Sequence, residues 1–377
     1  MKSLYYIGFL GIIIFEILNV YFIMPMPGSQ EMNSLGTAFY LYSYRWFFRG
    51  VFGLMILSGL KLVFLGKRKW IPVLPLVVVA LVVYLFNFKM VADKMFLQPQ
   101  NPVYSLAAEN KIPADALVIG VEINGEAKAY PIRFLTYHHQ VIDTVGGKVI
   151  MVTYCSVCRT GRVFEPIVNG KPENFRLVGM DHFNAMIEDE TTNSWWRQAT
   201  GEAVIGQLKG SHLPEVPAEQ FSLSAWLALH PDSKIMQADS YSTAHYDTGS
   251  YEQGKSQGHL TGTDSASWHR KSWVVGVIVG QTAKAYDWNR LKKERFISDN
   301  IEHKPIVVIL AKDNTSFVVF YQPAKESLTL KNDSLFSGET AYSLSGNGLN
   351  GAKLQKVAAY QEFWHSWKTF HPATLRY

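Results

Sequence analysis

An internal duplication restricts this 377-residue chain more than any other feature. Shifted by 156 positions, residues 118–164 align with 274–320 without a gap, and 14 of those 47 positions are identical. Val118, Gly120 and Val121 meet Val274, Gly276 and Val277, and Ala127-Lys128-Ala129-Tyr130 meets Ala283-Lys284-Ala285-Tyr286. A second block, 208–231, aligns with 349–372 at an offset of 141 and repeats Trp226, His230 and Pro231 as Trp367, His371 and Pro372. The second copy is thus about 15 residues shorter between the blocks. A fixed-period repeat signals one unit used twice. The globular part is expected as two related units, 99–239 and 272–377, joined by a Ser/Gly/His-rich connector, 240–271.

Each copy predicts the same coarse plan. Residues 118–123 and 274–279 read as strands. Asn124-Gly125 is a hairpin turn signal, with 127–132 as the returning strand. Residues 149–154 and 306–310 are β-branched runs, as are 162–164 and 317–321. Residues 218–230 and 360–371 read as one amphipathic helix per copy, each ended by His-Pro. The expected class is α+β, strand-dominated, with two tandem related units after an N-terminal all-α transmembrane region.

The hydrophobic fraction of 48% against 18% charged residues comes from one end of the chain. Residues 1–95 hold three apolar segments, 4–24, 47–65 and 70–88, and a spanning helix needs ~20 mostly apolar residues. The first carries Glu16; the second spans only if Arg49 and Lys61 snorkel to the interfaces. A cleaved signal peptide is the alternative for the first, but no short apolar region followed by a small-residue cleavage site is present. The basic stretch 66–69 predicts a cytoplasmic loop. The lipid bilayer is then a partner, and residues after 95 are extracytoplasmic on a multi-pass protein of the inner or cytoplasmic membrane. A net charge of +5, with no long basic run, argues against nucleic acid. No glycine-rich phosphate loop supports a nucleotide cofactor, and the sequence names no protein partner.

The two copies also differ, and the differences mark candidates. Cys155 and Cys158, the only cysteines, become Ala311 and Asn314, while His138 and His139 become Glu294 and Arg295. The stretch 180–196 falls where copy two is short. A CxxC knuckle in a hairpin aims two sulfurs at one point, a geometry suited to metal ligation. Cys155, Cys158, His138, His139 and His182 form the expected metal set, for copper or zinc. Tyr137, Met180, Asn184, Trp195, Trp196 and Arg159 are the expected pocket residues, and Arg159 suits stabilisation of a thiolate. Two other readings stay open: a thiol–disulfide oxidoreductase, and a ligand-binding module in which the CxxC is a structural disulfide. His230 and His371, present in both copies, read as structural helix C-terminal residues.

The stretches Val121-Glu122-Ile123-Asn124-Gly125-Glu126-Ala127-Lys128-Ala129-Tyr130-Pro131, Tyr137-His138-His139-Gln140-Val141-Ile142-Asp143 and Val152-Thr153-Tyr154-Cys155-Ser156-Val157-Cys158 resemble the DUF3179 family. Asn193-Ser194-Trp195-Trp196-Arg197-Gln198 adds to the likeness, which covers roughly 100–330. The resemblance implies a bacterial or archaeal domain without an established activity. The family pattern has Trp-His-Glu where this chain has Tyr137-His138-His139, and Gly where it has Arg159. His138 thus matches the family histidine, and His139 stands in place of an acid.

Overall fold

In the computed structural model, residues 2–66, 68, 70–323, 327–349 and 351–377 are described. Lys67 and Lys69, on which the expected cytoplasmic loop rests, lie outside them. Asn124 and Gly125 both take positive φ, 50° and 83°, as a type I′ turn requires. They close a hairpin between strands Leu117–Ile123 and Glu126–Pro131. Strand Glu219–Ser222 adds antiparallel to the first of these, and Lys234–Met236 adds parallel to the second. The second copy repeats the order with Ala359–Phe363, Trp273–Val279, Thr282–Asp287 and Leu375–Arg376.

After each hairpin comes a short helix that the sequence reading missed, Ile132–His138 and Trp288–Glu294. Each leads into a three-stranded antiparallel sheet. In copy one its strands are Gln140–Val145, Lys148–Cys155 and Thr160–Phe164. In copy two they are Phe296–Ile301, Lys304–Leu310 and Phe317–Tyr321. The class is α+β and strand-rich. The helices expected over 218–230 and 360–371 begin later, at Leu223–Leu229 and Trp364–Phe370. Their first residues are taken by sheet pairing, which outweighs local helical periodicity. His230 and His371 occupy the C-cap positions.

The repeated motifs have physical roles. A Cβ on Gly120 would lie 2.4 Å from the Trp226 ring, and one on Gly276 would lie 2.2 Å from the Trp367 ring. The glycines therefore admit the indoles. Each indole then ties its helix to the chain beyond His-Pro, Trp226 Nε1 donating to Ser233 Oγ and Trp367 Nε1 to Thr374 Oγ1, both at 2.8 Å. The Ala-Lys-Ala-Tyr strand sends Lys and Tyr to one aspartate in each copy. Lys128 and Tyr130 reach Asp143 at 2.9 and 2.6 Å, and Lys284 and Tyr286 reach Asp299 at 2.6 and 2.7 Å.

Contacts divide the chain into two compact units. One comprises Gln98–Glu173, Gln198–Gly201 and His212–Tyr377. Copy two falls in it, as does copy one apart from Asn174–Arg197 and Glu202–Ser211, and the two share a core. Strand Lys304–Leu310 alternates: Val307 and Ile309 join Val118, Tyr130, Val152 and Trp226 of copy one, while Ile306, Val308 and Leu310 join Val275 and Phe317.

The other unit comprises Met1–Leu97, Asn174–Arg197 and Glu202–Ser211. Two helices there, Lys2–Tyr21 and Trp70–Lys89, are long and apolar enough to cross a membrane. Helix Arg45–Phe64 packs with the first, and Glu16 pairs with Arg49 Nε at 2.7 Å. Arg49 is thus held inside the helix group, where the sequence reading sent it to an interface. Asn87 completes the link, accepting from Arg49 at 2.6 Å and donating to Glu16 at 3.0 Å. The four strands Phe175–Asp181, Asn184–Asp189, Trp195–Arg197 and Ala203–Ile205 form a sheet whose Val178, Met186 and Trp195 pack with Ile23 and Ala38.

Gly276→Ala should destabilise the full-length protein by ~1–3 kcal/mol, since the added methyl overpacks a buried indole. Denaturant unfolding in detergent measures it. A loss under ~0.5 kcal/mol would mean that Trp367 yields freely.

Candidate dithiol site

The CxxC is the turn of a hairpin. Cys155 pairs with Thr160 at the end of the ladder, and Ser156, Val157, Cys158 and Arg159 make the reversal, Arg159 with φ 56°. This folds the chain back so that the two thiols come within hydrogen-bond reach. Both side chains are completely buried thiols.

Groups from the connector and from copy two hold the turn. Tyr251 donates its hydroxyl to Ser156 O at 2.9 Å. Val157 O accepts from Lys271 Nζ at 3.1 Å and from His365 Nε2 at 3.2 Å, which fixes the proton on Nε2. Cys158 O accepts from Phe363 N at 2.9 Å. Lys271 also donates to Leu260 O. Arg159 is held by the connector and copy two as well. Its guanidinium donates to Gln361 Oε1, Tyr251 O and Glu252 O at 2.7, 3.1 and 2.9 Å, and lies 3.6 Å from the Trp273 ring centre.

Burial sets the local acid–base chemistry. It pushes the Cys158 thiol well above its ordinary range, reinforced by the Cys155 thiol and opposed by the Ser366 hydroxyl. Burial pulls Lys271 down to about 8, against the attraction of the two sulfurs. His365 is pulled down to about 3, first by burial and then by the Lys271 charge. A thiol reluctant to ionise thus faces an amine that releases its proton readily.

Among the other candidates, Tyr137 and His138 pack edge to face with ring centres 5.1 Å apart. His138 Nε2 lies 2.7 Å from the Tyr246 hydroxyl. Tyr137 stacks on His245 with ring centres 4.7 Å apart. His139 is the left-handed C-cap of helix Ile132–His138, with φ 60°, and Arg295 does the same in copy two with φ 61°. Position 139 therefore serves a backbone reversal in both copies. Met180, His182, Asn184, Trp195 and Trp196 belong to the other compact unit. There His182 Nδ1 lies 2.7 Å from Asp181 and its Nε2 lies 3.1 Å from Asn33. Trp195 packs edge-on to Phe39 and donates to Glu188 at 2.7 Å. Trp196 donates to Asp189 at 2.9 Å. Asn184 is buried in the ladder opposite Asp181, and Met180 N donates to Ile23 O at 2.7 Å.

The expected metal site finds no support in this arrangement. Among the described residues, no group of three or more His, Cys, Asp or Glu is placed to hold a metal. The sequence reading missed Lys271, His365, Ser366, Tyr251 and Gln361 because it searched copy one alone. The reverse comparison holds a signal: His365, Ser366 and Glu362 of copy two stand where copy one has Ser224, Ala225 and Phe221.

Fold and site together define a duplicated α+β protein with apolar N-terminal helices and a buried dithiol. A family model described as "Protein of unknown function (DUF3179)" matches residues 99–374. The chain belongs to this family. No curated protein and no solved structure matches it.

Three histidines, His139 buried and His365 and His371 half-buried, predict acid lability. Burial holds His139 and His371 at about 4 and His365 at about 3, against ~6.5 in the unfolded chain. Between these values the unfolded state binds more protons, so stability is full above about pH 6.5 and falls as pH drops towards 4. His139 alone should account for about 3 kcal/mol. Asparagine tolerates the left-handed conformation, so His139→Asn should flatten the acid limb of a stability–pH curve. An unchanged limb would count against a neutral buried ring.

Proposed function

We propose that this chain is a multi-pass membrane protein with an extracytoplasmic module in which Cys155 and Cys158 work as a thiol–disulfide redox centre. One observation carries the reading: the two cysteines meet, thiol to thiol, beside a lysine of lowered proton affinity. The neutral form of the Lys271 amine takes a thiol proton as the thiolate attacks a substrate disulfide, and gives it up to the departing substrate sulfur. The second thiol closes the Cys155–Cys158 bond, and the substrate leaves as two thiols. Two electrons and two protons pass to it. Complete burial favours small disulfides over folded proteins. Orientation rests on the basic stretch 66–69 and the positive-inside rule.

A second reading, a ligand-binding module, is supported by a cavity of 440 Å³ between the copies. It runs beside strands Glu219–Ser222 and Ala359–Phe363, with Arg162, Glu215, Glu219, Lys356 and Tyr360 on its walls. Glu219 meets Lys356 at 2.7 Å, and Tyr360 donates to Glu215 at 2.7 Å. Such a volume lies within the ~300–1,000 Å³ usual for small-molecule sites.

Detergent-solubilised full-length protein equilibrated in glutathione buffers separates the two. Alkylation followed by mass measurement should show one reversible intramolecular disulfide, and Lys271→Met should slow its formation ~10²-fold at pH 7. Thiols that stay reduced until the protein is unfolded, or that retain stoichiometric metal, would overturn the redox reading. A reporter enzyme active only outside the cytoplasm, fused after Tyr377, should be active. An inactive fusion with normal expression overturns the orientation.

A further inference from the structure

In the helical unit lies a second cavity, of 340 Å³. Its walls include Asn19, in the last turn of Lys2–Tyr21, and Phe86 and Asn87, near the end of Trp70–Lys89. It therefore sits where the two apolar helices finish. Polar side chains converge there. Arg45 lies 4.0 Å from the Tyr42 ring centre and donates to Tyr42 O at 2.7 Å. Arg176 is spent on Glu188 at 2.7 Å, on the Tyr42 hydroxyl, and at 3.4 Å on Asp93 Oδ2. Lys94 also lines the cavity, on an exposed residue.

Two acceptors on these walls have no donor among the described residues: Asn19 Oδ1 and Asp93 Oδ1, both buried. Asn19 as a whole is 9% exposed. A buried acceptor left without a donor is costly, more so when it is charged, so two on one cavity call for a multivalent donor. An ammonium brings three N–H groups. Arg45 and Lys94 on the same walls call for an anion. A ligand carrying both a phosphate and a primary ammonium meets both demands, and at the end of membrane helices its source is the bilayer.

We propose that this cavity binds the headgroup of an ethanolamine phospholipid, the ammonium donating to Asn19 Oδ1 and Asp93 Oδ1 and the phosphate facing Arg45 and Lys94. The inference rests on the membrane reading above. It concerns a different site from the dithiol.

Full-length protein is reconstituted in nanodiscs of equal parts phosphatidylethanolamine, phosphatidylcholine and phosphatidylglycerol, then extracted in mild detergent and its retained lipid quantified. Phosphatidylethanolamine should be retained ~10-fold over phosphatidylcholine, which differs at the ammonium, a difference of ~1.4 kcal/mol. Asp93→Asn, nearly isosteric, combined with Asn19→Leu should bring the two lipids level. Arg45→Gln with Lys94→Gln should lower retention of all three. Thermal melting of each variant confirms folding. Equal retention of the three lipids, retention of phosphatidylglycerol alone, or no retained lipid overturns the proposal. Membrane fractionation is run in parallel: a chain found in the soluble fraction overturns the membrane reading itself, whereas an integral chain indifferent to lipid overturns only this inference.

Discussion

Strand Lys304–Leu310 buries both faces, and the placement of the dithiol depends on that. Val307 and Ile309 pack with copy one; Ile306, Val308 and Leu310 pack with copy two's own sheet. A strand of near-continuous β-branched residues suits a site covered on both sides. The copies therefore hold one another through a common interior. That leaves the CxxC turn facing the start of helix Trp364–Phe370 and the connector, and each carbonyl of Ser156, Val157 and Cys158 finds its donor there.

Buried charge reinforces this arrangement. Arg159 is fully buried, and Arg162 nearly so, pairing with Glu362 at 2.5 Å. Burying such groups is costly unless each donor is met, and copy two supplies Gln361 and Glu362 for the purpose. The connector contributes in the same way. Glu252 accepts from Arg133 at 3.0 Å and from Leu117 N at 3.2 Å, so a segment poor in aliphatic residues still carries a buried ion pair. A composition rich in Ser, Gly and His does not reveal this polar role.

The architecture was legible because the duplication repeats residues whose roles are steric or electrostatic and local in sequence. Gly120 with Trp226, and Lys128 with Asp143, recur because each copy must solve the same packing problem. The strand runs carried β-branched patterns, and Asn124-Gly125 carried its turn. The short helices Ile132–His138 and Trp288–Glu294 were not legible, since seven residues give too little periodicity. The site was legible in half. Cysteines draw attention by rarity, whereas Lys271, His365 and Ser366 are ordinary residues that matter only through the fold. The surroundings of the histidines were not legible, because their neighbours, such as Tyr246 beside His138 and Asn33 beside His182, are distant in sequence.

The stretch in which copy one is longer has a topological consequence. Asn174–Arg197 and Glu202–Ser211 leave the duplicated unit and build a sheet on the N-terminal helices, while Gln198–Gly201 returns to it. Gln198 Nε2 then donates to Thr153 Oγ1 at 3.1 Å and to Thr160 O at 2.9 Å, at the strands that carry the CxxC. Gly201 meets Phe164, where a Cβ would lie 2.6 Å from the ring. The excursion is thus pinned at its midpoint by contacts with no room for slack. Copy two, shorter in this region, lacks both the excursion and the thiols. The excursion and the two cysteines therefore belong to the same copy, while copy two supplies the Gln361, Glu362 and His365 side chains that meet Arg159, Arg162 and Val157 O.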